Sequence, residues 1–220
     1  MNSENYINYD FHYLSPVEST EAAQRTYLDL SRRRSIREFS SEPVSKEVIE
    51  KLIMTASSAP SGAHKQPWTF CAVGNAEIKT AIREAAEKEE YDSYNGRMSE
   101  EWLDDLKAFG TNWEKPFLEK APWLIIVFKQ SYGIEDGQKR QHYYVNESVG
   151  IACGFLINAI HKAGLVTLTH TPCPMAFLTK ILNRPSNERP FLLLPVGYPE
   201  KGVKVPNIDR KSSEEVIVWH

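Results

Sequence analysis

The sequence predicts an α+β fold, a mainly antiparallel sheet surrounded by helices, within a single domain over residues 1–220. Three observations carry this prediction. Apolar positions recur at helical spacing in some stretches and form short β-rich runs in others, mixed without the regular alternation of a doubly wound sheet. The 220 residues are 41% hydrophobic, enough for one substantial core. No internal repeat or low-complexity linker divides the chain.

Residues 1–18 carry aromatics without period, and Ser15-Pro16 reads as a turn, so this stretch is expected to be an arm lying on something else. Ser19 or Thr20 then caps a helix with Ala23, Tyr27 and Leu30 at helical spacing and a basic end at Arg32, Arg33 and Arg34. Ser45 caps a second helix, with Val48, Ile49, Leu52 and Ile53 on its buried face, ending at Ala59-Pro60. A strand over Trp68 to Val73 follows, then a charged surface helix from residue 75 to about 90. Ala121 to Lys129 reads as a buried strand with Pro122 near its start.

Gln141 to Ala163 reads as a long, mostly buried helix stopped by Gly164, in which Gly150 and Gly154 permit close backbone approach. Leu165 to Thr169 and Phe191 to Val196 are strands around a helix near Ala176 to Leu182. The chain ends in the alternating, strand-like Val216 to Trp219. The two extended ends have little core of their own, a pattern of arms that embrace a partner subunit or fold back on their own chain.

Charge and composition exclude several classes. With 26 basic against 29 acidic residues, the formal charge of -3 supplies little counterion-release energy, so nucleic acid is not an expected partner. Apolar runs such as Leu124 to Phe128 are too short to span a bilayer, and the opening Met-Asn-Ser-Glu-Asn lacks a basic and apolar leader. A soluble, cytoplasmic protein is expected. Cys71, Cys153 and Cys173 form no Cys-x-x-Cys pair, and no His-x-x-x-His occurs, so neither a disulfide framework nor a metal site is expected. Cys153 reads as a small buried hydrophobe. Without a Gly-x-Ser-x-Gly elbow, a Walker loop or a Gly-x-Gly-x-x-Gly turn, hydrolase, P-loop and Rossmann readings fall away. A flavin enzyme needs none of these motifs.

Three clusters have the composition of a site. Arg32-Arg33-Arg34-Ser35-Ile36-Arg37 can surround a phosphate with charge-assisted hydrogen bonds, or its cations can complement the carbonyl end of a helix. Ala59-Pro60-Ser61-Gly62-Ala63-His64 forces an irregular turn whose small side chains let a planar ligand approach, or it simply connects two elements. From Glu87 to Lys115, Tyr91, Tyr94, Met98, Trp102, Leu106 and Phe109 recur every three or four residues, which predicts one amphipathic helical element with a possible break at Gly110. Glu90 and Tyr94, at i and i+4, lie one above the other. Joined by Lys115, they can read both ends of an amino-acid zwitterion, or they are surface charges on an exposed helix.

Taken together, these residues resemble the nitroreductase-like flavoprotein superfamily and, within it, the iodotyrosine deiodinases. The resemblance runs from about residue 25 to the C-terminus. It is carried by Arg-Arg-Ser-Ile-Arg (33–37), Ala-Pro-Ser-Gly-Ala-His (59–64), Gln-Pro-Trp-Thr-Phe (66–70), Lys-Glu-Glu-Tyr through Tyr-Asn-Gly-Arg-Met (88–98), Thr-Asn-Trp-Glu-Lys (111–115), Glu-Ser-Val-Gly-Ile-Ala-Cys-Gly (147–154), Thr-His-Thr-Pro (169–172) and Leu-Pro-Val-Gly-Tyr-Pro (194–199). The arginine cluster and the Val-Gly-Tyr-Pro stretch indicate the superfamily; Glu90, Tyr94 and Lys115 in a lid over about 88–115 narrow it to the deiodinases.

That resemblance implies an intertwined FMN-containing homodimer with two sites at the subunit interface, each built from both chains, and a C-terminal extension over 198–220 that embraces the partner. It implies that Arg33, Arg34, Ser35, Arg37 and Arg210 surround the FMN phosphate and ribityl chain, that Ser61 lies against the flavin, and that Thr169, His170 and Thr171 line it. The Thr171 hydroxyl would donate to flavin N5 and favour one-electron steps. Ala63 would offer its backbone N–H to the substrate phenolate, Glu90 would take the ammonium, and Tyr94 and Lys115 the carboxylate.

The activity so implied is FMN-dependent reductive dehalogenation of halotyrosines, iodotyrosine giving tyrosine and iodide, with NAD(P)H or a separate reductase supplying electrons. The alternatives are a general nitroreductase or quinone reductase with a less selective lid, and a non-catalytic flavin or tyrosine-derivative binding protein. Vertebrate members carry an N-terminal membrane anchor, whereas the polar opening here matches a soluble, bacterial form. The segment Thr-Pro-Cys-Pro-Met (171–175) also differs from its vertebrate counterpart.

Overall fold

The computed structural model describes residues 6–220, so the first five residues of the expected arm lie outside the described residues. The described chain comprises two compact units, one ending at Arg33 and the other beginning at Arg34.

In the first unit, residues 6–15 have no regular structure and lead into helix α1, Pro16–Ser31. The helix starts four or five residues earlier than the sequence reading placed it. Ser15 is the cap: its hydroxyl accepts the Glu18 N–H while the Glu18 carboxylate accepts the Ser15 N–H. Pro16 at the first helical position has its φ preset for a helix and lacks an N–H there to leave unpaired. Serine followed by proline was thus a helix start, not a turn.

The second unit is built on a four-stranded antiparallel sheet in the order β1-β2-β6-β5, with β1 at Trp68–Val73, β2 at Trp123–Gln130, β5 at Val166–Thr167 and β6 at Glu188–Gly197. β2 is buried on both faces, which explains its unbroken apolar run. Ile125 and Val127 pack against Ile49 and Leu52 of α2 (Lys46–Ser57) and Val149, Cys153 and Leu156 of α6 (Val145–Lys162). Leu124, Ile126 and Phe128 face the other side, toward Ile82 and Ala86 of α3 (Ala76–Asp92), Leu118 of α5 (Phe117–Lys120) and Leu178 of α7 (Ala176–Ile181). Two helical layers therefore enclose the sheet.

Several expectations require correction. On α2 the buried positions are Ile49, Leu52 and Ala56, one stripe at i, i+3 and i+7, whereas Val48 falls off the stripe and is exposed. The helix after residue 75 is more than a surface helix, because Ile82 and Ala86 are fully buried and the Lys79 ammonium is drawn in to donate to the carbonyls of Glu119 and Ala121, both at 2.8 Å. α6 begins only at Val145, since residues 132–141 form a hairpin, β3 (Tyr132–Glu135) and β4 (Gln138–Gln141). Its turn is Asp136-Gly137, both at positive φ, as a two-residue hairpin loop requires.

A Cβ added at Gly150 or Gly154 would meet nothing within 4 Å, so no close approach uses them among the described residues; the neighbouring Ile151 and Phe155 are exposed. The segment expected as a terminal strand has no pairing partner among the described residues. Ser212 and Glu215 form a capping box there, and a short helix α8 (Ser213–Val216) results.

Candidate active site

The expected amphipathic element from residue 91 to 109 is not one helix. After α3 the chain makes a wider turn over Ser93–Arg97, passes through extended Met98, and starts α4 (Glu100–Lys107) under a Ser99 cap that accepts the Trp102 N–H at 3.2 Å. The buried Ser93 hydroxyl donates to the Glu89 carbonyl, and the Met98 N–H closes the turn on the Ser93 carbonyl at 2.9 Å. Such π-type turns inside helical runs recur at functional sites. Folding α4 back lets Met98, Trp102 and Leu106 wall the same cavity as Glu90 and Tyr94. Gly110, at φ +56, then turns the chain toward Thr111 and Lys115.

The cavity has a volume of about 360 Å³ and brings together Arg37, Glu90, Tyr94, Lys115, Thr169, His170 and Thr171 from distant stretches of chain. Lys115 is buried at 4% exposure, with its ammonium 3.3 Å from a Glu90 carboxylate oxygen and 5.4 Å from the Tyr94 ring centroid. It also donates to the Asn112 carbonyl. Burial pulls the Lys115 ammonium below the ordinary lysine range, opposed first by the Glu90 charge. The Tyr94 phenol, bonded to Thr111, is pushed up by burial and remains a hydrogen-bond donor at neutral pH. A buried cation and a buried anion side by side form a charge complement to a zwitterion, whose two ends can replace one internal ion pair with two external ones.

The opposite wall is positioned by backbone bonds to the sheet edge. The Ile36 N–H donates to Thr167 at 3.1 Å, and His170 exchanges two backbone bonds with Leu193 on β6 at 2.9 and 3.0 Å. Residues 169–171 therefore run extended, with Thr169 and Thr171 exposed and His170 buried between them. The imidazole meets Phe117 edge-on at 5.6 Å, and its Nε2 is buried without a hydrogen-bond partner among the described residues. Burial, reinforced by the charges of Lys115 and Arg37, lowers its pKa to about 3, so the ring is neutral.

Arg37 also lines a second cavity of about 280 Å³, together with Ser35, Lys204 and Pro206. Its half-buried guanidinium has no carboxylate partner among the described residues, an arrangement that calls for an external anion. Arg34 donates to the Pro206 carbonyl and so ties the C-terminal stretch to the arginine cluster. Arg33 ends its unit with its N–H on the Leu30 carbonyl, and Arg210 is exposed.

Ser61 and Ala63 line neither cavity. They belong to a turn in which Ala63, His64 and Gln66 all have positive φ, held by the Gly62 N–H on Ser148 and the Gln66 N–H on the Ser61 hydroxyl.

Sequence reasoning missed Arg97, Thr111, Phe117 and Cys173 in the wall of the main cavity, and Glu87 behind it. No local pattern marks them, because each acts through a partner far away along the chain. The i, i+4 spacing of Arg83 and Glu87 was the one available signal.

The cleft thus joins a wall that carries the Lys115–Glu90 pair to one that carries Arg37 and the 169–171 stretch. A sequence profile of the nitroreductase family matches residues 30–198, and the chain belongs to that family. It is 59% identical to an iodotyrosine deiodinase of Haliscomenobacter hydrossis, covering 97% of this chain and 96% of the relative. It is 48% identical to an iodotyrosine deiodinase of Hydra vulgaris, covering 98% of this chain and 80% of the relative. A crystal structure of oxidized iodotyrosine deiodinase bound to FMN and 3-iodo-L-tyrosine superposes with a TM-score of 0.76 at 32% identity, covering 89% of this chain and 98% of that one.

Proposed function

We propose that the protein is an FMN-dependent reductive dehalogenase of halotyrosines. The observation that carries this reading is the buried Lys115–Glu90 pair beneath Tyr94, at 3.3 Å, opening into a cavity that Thr171 also lines. Similarity to iodotyrosine deiodinases over nearly the whole chain supports it.

Bound FMN supplies two electrons, which with one proton break the aryl carbon–halogen bond, leaving tyrosine and a halide ion. The chain's residues bind and orient. Glu90 accepts the substrate ammonium, and Lys115 and Tyr94 donate to its carboxylate. The apolar side chains of Met98, Trp102 and Leu106 cover the aromatic ring and exclude water. Arg37, Arg33, Arg34 and Arg210 would neutralise the cofactor's phosphate and Ser35 would donate to it; the Arg37 guanidinium, without a carboxylate partner among the described residues, fits such an anion. Thr171 would offer its hydroxyl to the flavin N5, with Thr169 and His170 completing the wall that holds the ring.

Ser61 and Ala63 serve the site of a partner subunit, Ala63 through its backbone N–H to the substrate phenolate. The exposed Ile151 and Phe155 beside Gly150 and Gly154, and the exposed Val216 to Trp219, supply apolar surface for such a homodimer. NAD(P)H or a separate reductase supplies the electrons. Among the described residues no helix is long and apolar enough to cross a membrane, and the three cysteines are free, which supports a cytoplasmic setting.

The test is anaerobic. The flavin of purified holoenzyme is reduced, 3-iodotyrosine is added, and reoxidation is followed together with iodide release. Stoichiometric iodide is expected, with loss of iodotyrosine binding in Glu90→Gln and Lys115→Gln. Flavin that stays reduced with iodotyrosine but turns over nitroaromatics or quinones would make the protein a general reductase.

A further inference from the structure

Arg97 makes a connection that no assigned role uses. Its Nη1 donates to the Glu89 carboxylate at 2.8 Å and to the Cys173 carbonyl at 3.0 Å, while its Nη2 donates to the Asp92 carboxylate at 3.1 Å. Glu89 and Asp92 flank the substrate-reading Glu90 and lie close to Tyr94 on the lid. Cys173 lies two residues beyond Thr171, on the cofactor-facing loop. One planar guanidinium therefore bridges the two walls of the cavity, and Arg97 and Cys173 both line it.

The irregular turn makes this bridge possible. Along a continuous α-helix, residues 89 and 97 would be separated by about 12 Å of rise, beyond easy side-chain reach. The wider Ser93–Arg97 turn and its closing bond from Met98 to Ser93 bring the guanidinium back over α3, where it meets both carboxylates. The ion pairs are partly exposed, with side-chain exposures of 47% for Arg97, 24% for Glu89 and 49% for Asp92, and such pairs are individually weak. What a guanidinium adds is a rigid fork that serves several acceptors at set angles, which a lysine cannot do.

We propose that Arg97 is a positioning residue that latches the lid to the Thr171 loop, so that closing over the amino-acid end of the substrate also sets the loop that faces the flavin. The latch rests on the dehalogenase reading for its consequence in turnover, but its mechanical part stands without it.

The test uses FMN-loaded enzyme with Arg97→Ala and Arg97→Lys. Amide hydrogen exchange is measured over residues 88–98 and over 170–178, where the bonded amides of His170 and Leu178 report on the 171–175 loop between them, with and without 3-iodotyrosine, beside steady-state iodide release. In Arg97→Ala, exchange is expected to accelerate in both segments and KM to rise about tenfold, with kcat changed about twofold or less. Arg97→Lys keeps a charge for the lid carboxylates but not the fork, so the lid stays protected while the 171–175 loop exchanges faster. Acceleration confined to 88–98 in Arg97→Ala, or a 171–175 loop as protected in Arg97→Lys as in the parent, overturns the latch. Should Arg97→Ala not fold, the lysine variant alone decides. A parent enzyme that released no iodide would sink the substrate reading, while the exchange pattern would still decide whether the two walls are coupled.

Discussion

Glu87 holds Lys115 by its main chain: one carboxylate oxygen accepts the Lys115 backbone N–H at 2.7 Å, and the other accepts from Arg83 at 2.5 Å. Arg83 in turn donates to Glu119 on α5 at 2.6 Å. Lys115 is therefore gripped twice, its backbone by Glu87 from behind the cavity and its ammonium by Glu90 from within. The arrangement separates position from function, since the backbone grip is unaffected when a ligand takes Glu90 away.

Removing the grip should loosen the ligand without touching it. Glu87→Ala leaves the Lys115 N–H without its acceptor and Arg83 without its nearest carboxylate, and is expected to weaken 3-iodotyrosine binding about tenfold. Glu87→Gln keeps an acceptor oxygen and should recover part of that loss. Titration of flavin fluorescence with 3-iodotyrosine measures both. Equal affinity in parent and Glu87→Ala enzyme would mean that the loop at 111–116 holds Lys115 unaided.

The Lys115–Glu90 pair should behave as a coupled buried unit. With side-chain exposures of 5% and 12%, removing either partner leaves the other charge in a poorly solvated wall, at a cost of about 3 kcal/mol. Replacing both, as in Lys115→Met with Glu90→Leu, removes the stranded charge and should cost much less than the sum of the two single changes. Urea unfolding of the four proteins closes the cycle. Additive costs would show that the two groups do not sense each other.

How much of this was legible in the sequence depended on the range of the signal. β1 was read at about its observed place, because a short apolar, aromatic-bearing run is bounded by Pro67 and Gly74. β2 was read because a buried central strand must be apolar on both faces. The α1 cap and the Asp136-Gly137 hairpin were written locally too, but their signals were taken for a turn or passed over. The break at Ser93–Arg97 was harder, since Tyr91, Tyr94, Met98, Trp102 and Leu106 keep helical spacing across it and a bonded serine side chain decides the geometry. Glu90, Tyr94, Lys115 and the 169–171 wall were nameable from the family resemblance, and they do converge. Arg97 and Glu87 were not, because what they do depends on Cys173 and Lys115, residues brought near only by the folded chain.

The turn carrying Ala63 leaves little room at Gly62. A Cβ there would sit 2.9 Å from the Tyr143 carbonyl oxygen and 3.0 Å from the Tyr144 ring, so the backbone of one segment must move. The turn has few alternatives, with Ala63, His64 and Gln66 already at positive φ. Gly62→Ala is expected to destabilise the protein by about 1–3 kcal/mol and to displace the Ala63 N–H. If that N–H meets the substrate phenolate, the variant should bind 3-iodotyrosine less tightly while its FMN content stays close to that of the parent. Flavin content by absorbance and ligand binding by fluorescence separate the two effects. Unchanged stability and affinity would show that the residue 143–144 segment yields freely.

His170 should impose an acid sensitivity that can be isolated. Its folded-state value of about 3 lies below the ordinary 6.5, because burial and the nearby Lys115 and Arg37 charges disfavour the imidazolium. Between these two values the unfolded chain binds a proton that the folded chain refuses. Stability from this group is therefore complete above pH 6.5 and is lost as the pH falls toward 3, with a slope approaching about 1.4 kcal/mol per pH unit in mid-window. Carboxylates titrate in the same range, so the informative quantity is a difference. His170→Asn removes the titrating ring, and relative to this variant the parent should lose about 2 kcal/mol between pH 6.5 and 4.5 by urea unfolding. The two profiles would run parallel only if the imidazole accepted its proton in the folded state. In that case the ring would be solvated, and the wall it shares with Phe117 and Leu193 would be open rather than packed.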